Sequence, residues 1–595
     1  MRCRRLISAS VALLTALALA ACGGLAAESA VEQGSPVGEA AVQPVRVQPD
    51  GPTKGATPDQ IVMGFIRAGA GAGFDDDHAV ARSFFTPNVR DEWLPDSGVE
   101  VFGDESSLKI ELLTPTKVRV TASIVAEIDG VGRYRETPAG TSAQATFGME
   151  KIGGGWRISL PQKGFGLWLS VSDLDRIYRP FTIAYAATTA QTIVGDRRWF
   201  PITPGLATLL ARAQLAPVPA YLTGAVRTGV PSGTKLAVDA VPVQSGRAVV
   251  DLSASALSAD PELRQAMWAQ FVTTLIQVPS VIEVSLEVEG AGLDLPGTAD
   301  RVSAVGTLGY QIDTSPSAAT AILRAGTGLS RVNSDQPPDQ EQPRKPAKPA
   351  AGSALPTILT GWVSLALSWS GQEIAGIGGD HADLARWRGS QMFQLAKFGT
   401  ALTKPSYDSL NGLWVAGESG GAPRVWVIDT SVSPMKGAKP RTISAPWLTR
   451  RTVLALRVAS DNQRVALITS DRTGGDVQVM VAGIVRTASG AAVALSPEPL
   501  RVGWTLTDAS DLAWVDESTL AVVGQVGTKN ALGPLLVEIG GKVTALTPVA
   551  GARLVTSTGG LRGVVVITDR GKVLARAGTG WQQLQSGTDF LIQGE

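Results

Sequence analysis

Cysteine and histidine are nearly missing from this chain: two of each among 595 residues. Two thiols cannot build a four-thiolate zinc site, and two imidazoles cannot complete a three-imidazole one. Most metal-dependent and histidine-dependent chemistry is thereby disfavoured, and no cofactor or metal is expected. Charge of one sign is also lacking. Fifty-three basic residues face 53 acidic ones, with no basic block of the kind that displaces counterions from nucleic acid. What is present is 44% hydrophobic and 18% charged residues, with 66 Gly and 36 Pro. That composition indicates a turn-rich, strand-rich globular protein rather than a coiled coil or a disordered chain. At roughly 150 residues per domain, the length implies about three or four domains.

The N-terminus carries an address. Arg2, Arg4 and Arg5 precede an apolar run from Leu6 to Ala21 that ends Leu19-Ala20-Ala21-Cys22. A charged start, a short apolar stretch and small residues before a cut describe a secretory signal over 1–21. The run falls short of the roughly 20 apolar residues of a membrane span. Its last four residues resemble the lipobox of bacterial lipoproteins, which implies that Cys22 receives a diacylglyceryl group and becomes the first mature residue. Each buried CH2 contributes about 0.8 kcal/mol, and stable anchoring takes two chains. Loss of 1–21 also removes Cys3 and three arginines, leaving 50 basic against 53 acidic residues. The mature chain is then mildly acidic, and its sole thiol is the lipidated one. The Ala-, Gly- and Pro-rich stretch 22–56 reads as a tether between membrane and folded part.

Three folded segments follow. In 57–180, Thr57-Pro58-Asp59-Gln60 forms a capping box with Pro at the first helical position, ahead of the core stripe Ile61, Val62, Phe65 and Ile66. A second helix is expected to begin in Asp75-Asp76-Asp77 and run to Thr86. Strands are expected at 109–113, 117–128, 143–152 and 156–160. Helices followed by a curved antiparallel sheet make an α+β domain that resembles the nuclear-transport-factor-like domains of secreted bacterial proteins. In 181–296, Thr203-Pro204 opens a helix, 236–243 and 247–252 form a hairpin around Ser245-Gly246, and Asp260-Pro261-Glu262 caps a helix that Pro279 stops. Ile282, Val284, Leu286 and Val288 then alternate with Glu283, Ser285, Glu287 and Glu289 as a half-buried strand. This order resembles the GerMN domain, whose usual reading is a binding module.

From 302 to 595 short strand pairs recur every 40 to 50 residues, beginning with 308–312 paired to 321–324. Several units repeat a strand, a Ser/Asp-x-x turn and an Ala/Val-like strand, as in Ser460-Asp461-Asn462-Gln463-Arg464-Val465-Ala466 and Val515-Asp516-Glu517-Ser518-Thr519-Leu520-Ala521. One four-stranded sheet per period is the pattern of an all-β propeller of six or seven blades. The proline-rich stretch 333–352 cannot pack a core and reads as a disordered insertion.

Catalytic patterns are present but lack their context. Gly417-Glu418-Ser419-Gly420-Gly421 satisfies G-x-S-x-G, yet β-rich Val425-Trp426-Val427-Ile428 follows where a helix is needed, and no histidine lies beyond His381. Ser232–Lys235 and Ser433–Lys436 match S-x-x-K without opening a helix. Gly69–Gly73 follows a helix rather than a strand, which is wrong for a phosphate cradle. Asp75–His78 reads as an acidic helix start, and His381 beside Asp380 and Asp383 as a polar loop. No catalytic residue is assigned. Trp387 and Trp447, near expected loops, stand as candidate anchors for a partner.

Lipobox, Thr57-Pro58 helix domain, GerMN-like segment and C-terminal propeller, in that order, resemble the LpqB family of actinobacterial lipoproteins. The resemblance implies a non-enzymatic accessory subunit of the MtrA–MtrB two-component system, lipid-anchored on the extracytoplasmic face of the cell membrane. It would contact the extracytoplasmic part of the MtrB-like sensor kinase, in cell-envelope homeostasis and cell division. Only Cys22 matches a family functional position. Alternatives are an independent ligand- or peptidoglycan-binding propeller and a carboxylate-dependent hydrolase working in the propeller mouth.

Overall fold

The computed structural model describes residues 49–71, 77–295, 297, 299–312, 320–333, 355–432, 437–527 and 531–594. The expected signal segment 1–21, Cys22, most of the expected tether, Gly73, Asp75 and Asp76, the proline-rich stretch after Asn333, and Ser433–Lys436 lie outside the described residues.

The first domain opens with helix α1 (Pro58–Gly69), where Thr57 N–H donates to Gln60 Oε1 at 3.0 Å, as a capping box requires. Its apolar stripe packs on a seven-stranded sheet built from β1 (Gly98–Phe102), β2 (Leu108–Thr114), β3 (Lys117–Asp129), β4 (Tyr134–Glu136), β5 (Ser142–Ile152), β6 (Gly155–Leu160) and β7 (Leu167–Ser170). Residues of β3 alternate strictly between core and surface, the period-two signal of a half-buried strand. Phe65 sits at the centre of an aromatic cluster, edge-on to Phe85 at 4.8 Å and to Trp93 at 5.0 Å. The second helix is far shorter than expected, only α2 (Ala79–Arg82). His78 lies in the left-handed region at φ 56°, and β6 captures the chain after Ser83. Ile158 N–H donates to Phe84 O, and Thr86 N–H to Ile158 O, both at 2.9 Å. Phe84 and Phe85 are buried as sheet-edge residues, not as a helical stripe.

After helix α3 (Val171–Ile177), the second domain starts with a long hairpin that local pattern did not reveal, β8 (Tyr178–Ala187) against β9 (Thr192–Pro201). Helix α4 (Leu206–Gln214) and helix α5 (Pro261–Leu275) clamp β8. Gln214 and Gln270 both donate to Ala184 O, at 2.9 and 2.8 Å, so the strand's free carbonyl is satisfied inside the core. Asp260 caps α5 by accepting from Leu263 N–H at 2.8 Å. Helix α5 is buried all round from Ala266 to Leu275, with Gln270, Thr273 and Thr274 hydrogen-bonded. The expected first hairpin strand, 236–243, shrinks to β11 (Val243–Gln244), which pairs with β12 (Arg247–Leu252), while β10 (Val226–Arg227) pairs with β8. Strand β13 (Glu283–Val288) lies parallel to β12 across the α5 crossover and antiparallel to β14 (Ala291–Gly292). Ile282, expected inside, is exposed.

Residues 302–312 belong to this domain, not to the propeller. Val302 bridges Val284, and β15 (Gln311–Ile312) pairs parallel with β9. The expected partner strand, Thr320–Ala325, instead pairs with Gly328–Asn333 and with Asp589–Leu591. Buried Leu308 and Tyr310 join the second domain's core, which decides where the segment packs.

The C-terminal part is a β-propeller. Among the described residues it contains six antiparallel sheets: 320–333 with 589–591, 362–394, 406–443, 451–502, 506–545 and 552–586. One apolar cluster fills each gap between neighbours, including the gap between the last sheet and the first. The ring therefore closes, and the C-terminal strand Asp589–Leu591 locks it by joining the first sheet. The Ser/Asp-x-x punctuation has a direct cause. Asp461 Oδ1 accepts from Gln463 and Arg464 N–H, Asp516 Oδ1 from Ser518 N–H, and Ser368 Oγ from Glu373 N–H, each closing the turn from first to second strand.

Candidate functional site

The structure disperses the sequence's catalytic candidates. Gly420 and Gly421, at φ 60° and 71°, make the tight turn between strands Gly412–Ser419 and Ala422–Asp429, so Ser419 ends a hairpin strand and no helix follows. The His381 ring nitrogen Nδ1 is 2.9 Å from Leu402 O, and neighbouring Asp380 and Asp383 both pair with Lys397. His78 is buried edge-on to Trp93. Lys235 sits in a loop, its N–H donating to Ser253 Oγ. Among the described residues no group of three His, Cys, Asp or Glu side chains could hold a metal ion. Trp387 is 3% exposed and packs edge-on against Trp362 between blades, so it cannot anchor a partner. Trp447 is half-buried with its Nε1–H on Ser496 O at 3.1 Å.

The inner strands carry a polar feature that no local motif announces. Arg457 and Asp511 form a fully buried pair at 2.8 Å between the fourth and fifth sheets. Asp511 Oδ2 also accepts Val555 N–H of the sixth sheet at 3.0 Å. One carboxylate thus ties three adjacent blades. A buried charge of this kind is tolerated only when paired and hydrogen-bonded, and this one is engaged on both oxygens. It is no free acid or base for hydrolysis.

Both N-terminal domains are fastened to one face of the propeller. Glu136, on β4, accepts from Val543 N–H at 2.9 Å and from Thr505 Oγ1 at 3.0 Å. Burial, the largest influence, raises the Glu136 carboxyl above its ordinary pKa, and the nearby Glu538 carboxyl is raised for the same reason. Trp199, stacked on Tyr134 at 4.8 Å, donates to Gly540 O at 3.1 Å. Gly541 has φ 99°, and a Cβ there would lie 2.0 Å from Tyr134 O. Arg464 pairs with Asp461 at 2.7 Å and reaches Gly195 O on β9 at 3.4 Å. The second domain's core runs without a break into the fourth and fifth blades.

The opposite side of that same face is open. A cleft of about 820 Å³ is formed by the first-to-second-strand turns of the second and third blades, residues 368–372 and 408–411, with Arg331, Gly389, Ser431 and Gln593. Behind it, Glu373 accepts from Arg386 Nε at 2.7 Å and Nη2 at 2.9 Å, from Arg388 Nε, and from Tyr407 O–H at 3.0 Å. Burial, with Glu373 beside it, pushes the Tyr407 hydroxyl well above its usual pKa, so it stays a donor. Asp408 is likewise held by Arg486 at 3.0 Å and by Trp414 Nε1–H at 2.8 Å. The arrangement suits recognition by hydrogen bonds and charge.

Residues 347–590 match the family model of the lipoprotein LpqB β-propeller domain, and residues 51–175 that of the lipoprotein LpqB N-terminal domain. Residues 181–294 match the model described as sporulation and spore germination. Lipoprotein LpqB of Thermobifida fusca (strain YX) is 28% identical over 569 residues, 86% of each chain. Lipoprotein LpqB of Cutibacterium acnes (strain DSM 16379 / KPA171202) is 25% identical over 614 residues, 99% of this chain and 98% of its own. Among solved structures, TolB from Acinetobacter baumannii aligns with 46% of this chain and 65% of its own, at 15% identity and a TM-score of 0.31. With its domains in this order and relatives that align nearly end to end, the chain is similar along almost its whole length to the LpqB lipoproteins of actinobacteria.

Proposed function

We propose that this protein is a lipid-anchored, non-enzymatic binding subunit of a two-component sensor kinase, held on the extracytoplasmic face of the membrane by a diacylglyceryl group on Cys22. The observation that carries the reading is the seam. Two N-terminal domains lock onto one propeller face through Glu136, Trp199 and Arg464, giving a scaffold with one broad composite surface. Those catalytic candidates of the sequence that lie among the described residues are meanwhile separated or engaged in structural bonds. Contact with one conformation of the kinase shifts its equilibrium by the difference in affinity, typically about 1–3 kcal/mol for such couplings.

Affinity capture of the full-length chain from cells, set beside a Cys22→Ala form, tests this. The intact chain is expected in the membrane fraction and to bring down a histidine kinase, whereas Cys22→Ala leaves the membrane. If neither membrane association nor kinase recovery depends on Cys22, the anchoring part fails. If no kinase is recovered with either form, the partner part fails. The open polar cleft favours a second reading, a propeller that binds a ligand independently of any kinase.

A further inference from the structure

We propose that the cleft on the open half of the propeller face binds an anionic saccharide, a sugar carrying a carboxylate or a phosphate. The inference goes beyond the kinase reading and does not rest on it.

The first argument is charge. Around the cleft stand Arg331, Arg386, Arg388 and Arg486, against the carboxylates Glu373 and Asp408. Both carboxylates are buried and bonded by those arginines; with the exposed Asp429, which accepts from the lining residue Ser431, the surplus is one positive charge. Arg388 keeps 40% of its side chain exposed while its Nε–H holds Glu373, and its Nη2 reaches Thr430 O. Arg331 is exposed at the rim and has no ion pair among the described residues. A fixed guanidinium fork in a partly desolvated cleft is a matched partner for carboxylate or phosphate.

The second argument is the remainder of the lining. Ser370, Gln372, Ser409, Asn411, Ser431 and Gln593 present hydroxyls and carboxamides to the cleft. Gln372, Asn411 and Gln593 make no side-chain hydrogen bond among the described residues. Ligand pockets typically bring a few placed polar groups to an apolar wall; here polar groups are numerous and share the lining with Leu355, Pro356, Trp369 and Trp387, surfaces on which the C–H face of a sugar can rest. A ligand with many hydroxyls and one anionic group can use such a lining, while an apolar ligand or an extended hydrophobic peptide would leave these groups unpaired at a cost. A volume of about 820 Å³ lies within the roughly 300–1,000 Å³ of small-molecule sites.

The third argument is access. Gly540–Gly541, which meet Trp199 of the second domain and Tyr134 of the first, form a turn from third to fourth strand. Residues 368–372 and 408–411 are first-to-second-strand turns, and in an antiparallel sheet both kinds fall at the same edge. The two N-terminal domains cover the fourth and fifth blades at that edge and contribute no residue to the cleft. The site stays open while the scaffold is assembled.

Titration calorimetry on the full-length chain in detergent tests the assignment with four probes: a glucuronate-containing disaccharide, glucose 6-phosphate, neutral cellobiose and a tetraglutamate peptide. At least one of the two anionic sugars is expected to bind, cellobiose and tetraglutamate about tenfold or more weaker, and the affinity to fall as salt screens the charges. The better of the two sugars identifies the anion. Arg331→Glu, an exposed substitution, and Arg388→Gln, which leaves Glu373 its bidentate Arg386, are each expected to weaken binding about tenfold with an unchanged thermal transition. Absence of binding by both anionic sugars would overturn the proposal. So would tetraglutamate matching them, which would indicate charge alone, or an unaltered affinity in folded Arg331→Glu. Kinase capture is read independently of this titration, so either result stands without the other.

Discussion

Removing the Asp511 carboxylate should destabilise the propeller more than removing almost any other charge in the chain. Asp511 and Arg457 are 6% and 1% exposed in their side chains and 2.8 Å apart. Asp511→Ala leaves a guanidinium buried without a counter-charge and orphans Val555 N–H, which now donates to Oδ2 at 3.0 Å. Breaking a buried pair from one side costs about 3–5 kcal/mol, and the orphaned amide about 1–3 kcal/mol when counted alone. The two overlap, so a loss of about 4 kcal/mol is expected. At about 2–4 °C per kcal/mol, the propeller's calorimetric transition should fall by roughly 10 °C. Asp476→Ala supplies the contrast, since its 2.8 Å pair with Arg451 is half-exposed on the acid side and such pairs contribute about 0–1 kcal/mol. Replacing both partners, Arg457→Met with Asp511→Leu, should recover most of the loss, because it removes the unpaired charge. If Asp511→Ala lowers the transition no further than Asp476→Ala does, the carboxylate does not clamp the blades.

Other consequences concern the seam and the anchor. Because burial raises the folded-state pKa of Glu136 and Glu538, the folded chain holds more protons than the unfolded one between the ordinary carboxylate value, about 4.3, and the raised one. Stability should therefore decline as pH rises through that window. Glu136→Gln keeps one carbonyl acceptor and should flatten the decline, seen as urea midpoints against pH; an unaltered slope would contradict the assignment. Gly541→Ala places a methyl 2.0 Å from Tyr134 O on a left-handed backbone, so the first domain should separate from the propeller. Faster proteolysis near residue 541 and a larger radius by X-ray scattering would report it, and an unchanged scattering profile would count against the seam. Cys22→Ala should shift the protein from membrane to soluble fractions, and retention would mean another anchor.

Elements with local causes were legible in the sequence. Thr57-Pro58-Asp59-Gln60 caps its helix, Asp260 caps α5, and the alternation over 117–128 marks β3. Features decided at long range were not. Strand β8 is apolar on both faces from Ile183 to Ala187, so it has no alternation to read. Residues 308–312 resemble the strands that follow, and only their distant partner β9 assigns them to the second domain. The Arg457–Asp511 pair spans 54 positions, and Glu136 meets Val543 across 407; no spacing rule foresees either. The cleft escaped notice because its residues come from turns of separate blades and carry no motif. Trp387 misled by its position near a turn, since burial follows the blade packing around it.

The central claim, that this lipoprotein acts by binding a sensor kinase, is tested most directly by reconstitution. The kinase of the chain's own organism is placed in liposomes, and its autophosphorylation rate is measured with the full-length lipoprotein in the same bilayer. The account predicts a several-fold, saturable change in rate that Cys22→Ala, added from solution, reproduces only at much higher concentration. A rate indifferent to the intact lipoprotein at saturating density would contradict it.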